Sequence, residues 1–202
     1  MPLADVLATA HPMLDALAAL HHSGIVHRDL KPANVFLTAH GVKLLDFGLA
    51  QPPAQEDVTG QARLTTRGVL VGTPQYLTPE QLNGGVVDER SDVFAAAVVV
   101  YEMLVGHPPF TDENLADVLL AHINRPPPRP SQVKPDRNIP KPLEDVVMRC
   151  IEKDVAARYK DMADLEAALC EAQIAAGIVP EWDDLPLPDV DPERRANLVA
   201  KM

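Results

Sequence analysis

Apolar residues recur at helical spacing over the first 22 positions of the chain. Residues three and four apart lie on one face of an α-helix, so this spacing predicts a helix over residues 3–22. Pro12 interrupts the pattern and predicts a kink, because proline removes one backbone donor. Gly24 follows the last periodic residue and is the predicted C-cap. The periodic positions are Leu3, Val6, Leu7, Leu14, Leu17 and Ala18.

Short apolar runs separated by turn residues come next. They cover residues 25–26, 35–37 and 42–45, with Gly41 between the last two, and their length and β-branched content favour strands. No hydrophobic period is sustained over residues 46–80. A stretch that long without regular structure inside a compact domain is typical of a functional lid.

Helical periodicity dominates the second half of the chain. Helices are predicted over residues 88–105, 112–124, 143–153 and 161–175. The proline-dense stretch 125–142 predicts an exposed connector, although part of it also resembles a polyproline ligand. The acidic tail 176–202 predicts a final short helix with Asp191 as N-cap and Pro192 in the first turn. The predicted fold class is therefore mainly α with a few short β-strands.

Composition narrows the class of protein without assigning a function. The 202 residues are 47% apolar and 23% charged, which is typical of a globular domain. The net charge of −11 argues against nucleic acid as a partner. The two cysteines lack metal-ligand spacing and indicate a reducing, cytoplasmic location. The longest apolar stretch, residues 93–105, is shorter than the roughly 20 residues that span a bilayer, so no membrane segment is expected.

Oxygen-bearing side chains gather in the first quarter of the chain. Asp29 and Asn34 belong to the stretch 27–34, and Asp46 follows the last predicted strand. Two carboxylates and an amide suit Mg²⁺, which prefers oxygen ligands together with phosphate oxygens. With Lys31 close to Asp29, the set suits phosphoryl transfer, which depends on positioning and charge neutralisation. The alternative interpretation is that these are ordinary turn residues.

Three motifs, in order along the chain, resemble those of the protein kinases. Residues 27–34 match H-R-D-x-x-x-x-N, residues 46–48 read Asp-Phe-Gly, and residues 78–80 read Thr-Pro-Glu where the family has Ala-Pro-Glu. Lys31, two residues after the motif aspartate, is a feature that resembles the serine/threonine branch of the family. The sequence of residues 72–81 is similar to that of bacterial members. The resemblance covers residues 1–175.

The resemblance implies an architecture, with residues 1–175 forming the large, C-terminal lobe of the kinase fold. The catalytic loop would be residues 27–34 and the activation segment residues 46–80, with the tail at 176–202 outside the lobe. ATP and Mg²⁺ are the implied cofactors, and proteins are the implied substrates.

Catalytic roles follow from the same resemblance. Asp29 would accept or orient the proton of the substrate hydroxyl. Lys31 would contact ATP and neutralise the transferred phosphoryl group. Asn34 and Asp46 would bind Mg²⁺ and, with it, the nucleotide.

Regulatory roles are implied for the segment that follows. Arg28 would pair with a phosphate on the activation segment, for which Thr65 and Thr66 are the candidate acceptors. The alternative is that both threonines are exposed loop residues. Thr73 would contact Asp29 and Lys31 near the bound substrate.

Scaffold roles complete the implied set. Asp92 would hold the backbone of the catalytic loop, and Glu80 would form a buried ion pair with Arg158. His27 would pack beneath the site.

The sequence lacks a G-x-G-x-x-G loop and a V-A-I-K-like strand lysine, which belong to the small lobe of a kinase. We therefore expect the small lobe to be absent and catalysis by the chain alone to be weak. Three functional hypotheses remain open: a truncated serine/threonine kinase, a docking module or scaffold that binds substrates or a partner kinase, and a lobe completed by a separate small-lobe polypeptide.

Overall fold

The fold is described by a computed structural model that covers residues 1–38, 41–46, 74–178 and 191–201. Those residues contain eight α-helices and one two-stranded sheet. The elements are α1 (Leu3–His22), β1 (Val35–Thr38), β2 (Gly41–Leu44), α2 (Pro79–Asn83), α3 (Glu89–Val105), α4 (Leu115–Asn124), α5 (Pro130–Val133), α6 (Lys141–Cys150), α7 (Met162–Ala175) and α8 (Pro192–Lys201). The predicted class, mainly α with a few short strands, is confirmed.

The end of α1 sets the direction of the loop that follows. Gly24 has a φ of 74°, a left-handed conformation that glycine adopts without steric cost. Its amide donates to the carbonyl of His21 at 2.8 Å, and the amide of Ile25 donates to the carbonyl of Leu20 at 3.0 Å. These two bonds form a Schellman cap. Because Ile25 belongs to this cap, the strand predicted at residues 25–26 is wrong.

α3 is the central helix of the core. The carboxylate of Asp88 caps its N-terminus by accepting a hydrogen bond from the Arg90 amide at 2.9 Å, and Gly106 ends it in a left-handed conformation. Residues 93–99 are all buried, and the small side chains among them allow close packing by α1, α6 and α7. The apolar run at 93–105 is therefore a buried helix, as the sequence predicts.

β1 and β2 form an antiparallel hairpin that packs against α1. Val35 pairs with Leu44, and both side chains contact the core. The outer residues of β1 differ, since Phe36 is 48% exposed and Leu37 is 64% exposed. Successive strand residues point to opposite faces, so each face of the hairpin exposes one large apolar side chain.

The proline-dense connector is more regular than the sequence indicated. It contains α5 and a 3₁₀ turn at Pro135–Arg137. Glu144 on α6 accepts hydrogen bonds from the amide of Ser131 at 2.7 Å and from the guanidinium of Arg129 at 2.8 Å. These bonds fix the connector to α6.

α1 is long and apolar enough to cross a membrane, by length and composition alone. Core helices pass the same test, and 44% of the apolar window of α1 is buried inside the protein. The helix continues past Pro12 and packs against α3, α7 and β2. Its apolar face is thus accounted for by the core.

The last helix, α8, begins where the sequence predicts. The carboxylate of Asp191 accepts hydrogen bonds from the amides of Glu193 at 3.1 Å and Arg194 at 3.0 Å. Leu198 is buried against Ala167 and Cys170 of α7. Part of the predicted tail therefore packs on the helical body.

A buried polar cluster joins α1 to α7. The imidazole Nε2 of His11 lies 2.8 Å from Oε1 of Gln173, and its Nδ1 lies 3.9 Å from Oε1 of Glu166. Burial and the neighbouring Glu166 carboxylate raise the pKa of Asp15 from 3.8 to about 6. A second negative charge is thus disfavoured at this helix interface.

Asp15→Asn is expected to stabilise the protein. The raised pKa of Asp15 means that its contribution to the free energy of unfolding is greatest below pH 4 and is lost as pH rises through 6. A neutral isostere removes that loss, so we expect a gain of about 1 kcal/mol at pH 7, after allowance for solvent screening of this half-buried group. Urea unfolding of both proteins at pH 7 and pH 4.5 measures it. An equal gain at both pH values contradicts the electrostatic explanation.

Candidate active site

The Asp92 carboxylate holds the loop that contains the candidate catalytic residues. Its Oδ2 accepts the amide of His27 at 2.7 Å, and its Oδ1 accepts the amide of Arg28 at 2.9 Å. Nε2 of His21 lies 2.8 Å from Oδ2 of the same carboxylate. Asp92 is 1% exposed in the first turn of α3, so the rigid core helix positions the loop directly.

Asp29 projects from this loop with one carboxylate oxygen already engaged. Nζ of Lys31 donates to Oδ2 of Asp29 at 2.7 Å, and Nδ2 of Asn34 lies 3.3 Å from the same oxygen. The Asn34 amide also donates to the carbonyl of Asp29 at 2.8 Å. The Asp29 side chain is 52% exposed, whereas Asn34 is buried. The carboxylate is therefore fixed in direction and open to an incoming group.

Asp46 is brought next to Asn34 by the hairpin. Val35 pairs with Leu44, and the pairing extends one residue beyond them, because the Leu45 amide donates to the carbonyl of Asn34 at 3.0 Å. Asp46 follows Leu45 directly and has a left-handed φ of 57°. This conformation is uncommon for residues other than glycine, although aspartate and asparagine adopt it more readily than most.

His27 lies beneath the loop and is fully buried. Its Nδ1 accepts the amide of Asp29 at 3.4 Å. Burial lowers the pKa of His27 even though the carboxylates of Asp92 and Asp29 oppose the shift. A neutral imidazole can accept that bond, so His27 supports the position of Asp29 from below.

Arg28 also has a left-handed backbone, with a φ of 67°. Its carbonyl accepts a hydrogen bond from Nε2 of Gln81 at 2.8 Å, which links α2 to the loop at residues 27–34. The predicted regulatory and substrate residues Thr65, Thr66 and Thr73 lie outside the described residues.

A buried ion pair joins Glu80 to Arg158. Nη1 and Nη2 of Arg158 donate to Oε1 and Oε2 of Glu80 at 2.9 Å and 2.8 Å, and the arginine side chain is 0% exposed. The Ser91 hydroxyl donates to Oε1 of Glu80 at 2.6 Å. Burial alone would raise the pKa of Glu80, but the bonds from Arg158 and Ser91 outweigh it and lower that pKa. The pair ties α2 to α3 and to the segment before α7.

Several contacts near the site were not expected from the sequence. Three polar side chains make these additional hydrogen bonds. His21 bonds to Asp92, Gln81 to the carbonyl of Arg28, and Ser91 to Glu80. The Tyr76 hydroxyl donates to Oε2 of Glu102 at 2.5 Å and so anchors the chain before α2 to α3. The charge of Glu102 within an apolar helix is a sequence signal for such a bond, but its partner cannot be identified without the fold.

The donor set fits a hard cation held with a phosphate ligand. Both hydrogen bonds of the Asn34 side chain use its amide nitrogen, which leaves the amide oxygen available as a ligand atom. The Asp46 carboxylate is a second oxygen donor, one residue after Leu45, whose amide bonds to the Asn34 carbonyl. Mg²⁺ takes one or two such protein oxygens and completes its shell with water and phosphate. Within the described ranges, no group of three or more His, Cys, Asp or Glu side chains forms a metal site. The arrangement therefore suits a shared Mg²⁺–phosphate site rather than an all-protein metal cage.

The comparisons with known proteins agree with this geometry, because residues 2–169 match the model of the protein kinase domain. The chain belongs to the protein kinase family. It is 43% identical over 169 residues to the serine/threonine-protein kinase Pkn1 of Myxococcus xanthus, covering 81% of this chain and 23% of Pkn1. It is 39% identical over 185 residues to the serine/threonine-protein kinase PknL of Mycobacterium tuberculosis, covering 89% of this chain and 44% of PknL.

The kinase fold is matched by solved structures as well. The PknI kinase domain of Mycobacterium tuberculosis superposes with a TM-score of 0.59 and 29% sequence identity, over 85% of this chain and 56% of that domain. This chain spans less than half the length of the two curated kinases and about half of the solved kinase domain. Its architecture is that of the large kinase lobe.

Arg158→Ala is expected to lower the free energy of unfolding by about 3–5 kcal/mol, because it leaves the Glu80 carboxylate buried without its counter-charge. Lys141→Ala is the control, since both members of the Lys141–Asp145 pair are solvent-exposed and such pairs contribute about 0–1 kcal/mol. Chemical denaturation of both variants measures the difference. Equal losses in the two variants contradict a special role for the buried pair.

Proposed function

We propose that this chain acts as the large lobe of a serine/threonine protein kinase, which transfers the γ-phosphoryl group of ATP to Ser or Thr hydroxyls of proteins. The observation that carries the proposal is the Asp29 carboxylate, held by Lys31 and Asn34 at 2.7 Å and 3.3 Å on a loop fixed by Asp92. We assign residues 1–175 to the lobe and 176–202 to the tail. The use of ATP and two free buried cysteines are compatible with a cytoplasmic location.

The chain contributes the acceptor for a proton and the charges around it. Lys31 and Asn34 engage Oδ2 of Asp29, so Oδ1 is the oxygen that receives the proton of a substrate hydroxyl. Lys31 stabilises negative charge on the transferred group, since its ammonium lies 2.7 Å from Oδ2 of Asp29. His27 and Asp92 act as positioning residues beneath them.

Asn34 and Asp46 are the residues that would hold Mg²⁺ and thereby the nucleotide. The bound cation supplies charge neutralisation for phosphoryl transfer. Arg28, on the same loop, is proposed to receive a phosphate on Thr65 or Thr66, and Thr73 is proposed to face Asp29.

The exposed hairpin supports contact with a small lobe or a partner protein. Phe36, Leu37 and Leu45 are all at least 44% exposed, and Ile25, in the loop after α1, is 38% exposed. A group of large exposed apolar residues is typical of a protein-binding surface. We propose that a small lobe, in the same or another polypeptide, covers these residues. A docking module would use the same surface.

The catalytic proposal is tested by phosphoryl transfer from labelled ATP with Mg²⁺ to a protein substrate. The folded chain is assayed alone and with the isolated small lobe of a related kinase. Asp29→Asn and Asp46→Asn are each expected to reduce transfer by about 10²-fold or more. Asp136→Asn, on the exposed turn before α6, serves as the control. Absence of transfer in both arms from a folded chain favours the docking module instead.

The covering of the hairpin is tested by dye binding. The chain alone is expected to enhance the fluorescence of an apolar dye, and Leu37→Ser with Phe36→Ser is expected to reduce the signal by about half. Val86→Ser is the control, because Val86 is 82% exposed but lies between α2 and α3. A small lobe added in excess should remove the signal of the parent chain. No change on its addition contradicts the proposed covering.

A further inference from the structure

One face of α7 carries a small apolar patch between two carboxylates. The patch consists of Ala167 and Cys170, with Ile174 at its edge, and forms a cluster separate from the main core. Asp164 and Glu171 flank it on the same helix. The rest of α7 faces the main core, where Leu165 and Leu169 are buried.

α8 fits this patch with two side chains placed one turn apart. Arg194 donates from Nη1 to Oδ1 of Asp164 at 2.6 Å and from Nε to Oε1 of Glu171 at 2.8 Å. Leu198, four residues later, is 1% exposed and covers the apolar patch. Residues four apart lie on one helix face, so an Arg-x-x-x-Leu spacing meets the acid–apolar–acid pattern of α7.

Little else of α8 is buried. Among its side chains that the structure describes, Leu198 is buried and Arg194 is partly buried, whereas Val199 on the same helix is 53% exposed. The Leu198 cluster shares no member with the main core. A helix held at so few points opens locally without unfolding the body that it contacts.

We propose that α8 is a releasable internal ligand of α7, held by the Arg194 ion pairs and the Leu198 contact. Its release uncovers Cys170 and an acid-flanked apolar patch that fits an amphipathic helix with the Arg-x-x-x-Leu spacing. The occupant is the chain's own α8, because the described contacts match in both charge and position. Burial raises the pKa of the Cys170 thiol well above its ordinary value, which agrees with a closed cover.

Thiol labelling measures the release. Cys150 lies in the main core and Cys170 lies under α8, so Cys150→Ala and Cys170→Ala each leave one reporter thiol of the two in the chain. In the Cys150→Ala background, Leu198→Ala is expected to speed labelling of Cys170 by about tenfold or more, since the truncation weakens the closed state. Val199→Ala is the matched control and should label like its parent. In the Cys170→Ala background, Leu198→Ala should leave the labelling of Cys150 unchanged.

The salt dependence of the labelling rate distinguishes the contribution of the Arg194 ion pairs from that of the Leu198 contact. Raising the salt concentration should speed labelling of Cys170 in the parent and much less in Arg194→Ala, because salt screens the exposed side of the ion pairs. Parallel acceleration of Cys150 and Cys170 by Leu198→Ala overturns the proposal, since it shows that α8 opens only with the whole body. A labelling rate that falls with rising protein concentration also overturns it, since the occupant would then be α8 of a second copy.

Discussion

The candidate active site depends on one buried carboxylate. Asp92, at the start of α3, accepts two successive backbone amides from the loop at residues 27–34 and also binds His21 at the end of α1. A buried charge is tolerated only when hydrogen bonds satisfy it, and these three contacts do so. The loop is therefore positioned by the most buried helix of the core. The left-handed backbone of Arg28 is held in place by these bonds and by Gln81 on α2.

The second constraint is the network around Glu80. Arg158 uses both of its terminal nitrogens on Glu80 and also donates to the carbonyls of Arg90 and Glu152. A single guanidinium thus connects α2, α3 and the end of α6. Together with the Tyr76–Glu102 bond, it fixes the chain that leads into α2 against α3. Charged groups thus tie two parts of the site to α3, the loop at residues 27–28 through Asp92 and the chain at Tyr76 through Glu102.

Patterns that are local in sequence could be predicted, whereas contacts between distant residues could not. The bounds of α1, the cap of α8 at Asp191 and the buried run of α3 follow from periodicity and capping chemistry. The strand predicted at residues 25–26 is wrong because the glycine cap of α1 includes Ile25, whose amide bonds back to Leu20. The Asp29, Asn34 and Asp46 set was recognisable from motif spacing, and the hairpin register explains how the structure brings the last two together. The hydrogen bonds of His21, Gln81 and Glu102 could not be predicted because their partners lie 26 to 71 residues away in the sequence.

The Glu80–Arg158 pair has a kinetic consequence as well as an energetic one. Its partners are separated by 78 residues, so the intervening chain must be closed before the pair can form. Contacts between neighbouring helices, such as α6 with α7, need far shorter closures and are favoured early in folding. We therefore expect the pair to form late, so that its strength acts mainly on the rate of unfolding rather than on the rate of folding. In that case the ion pair governs how long the assembled lobe persists once it has formed.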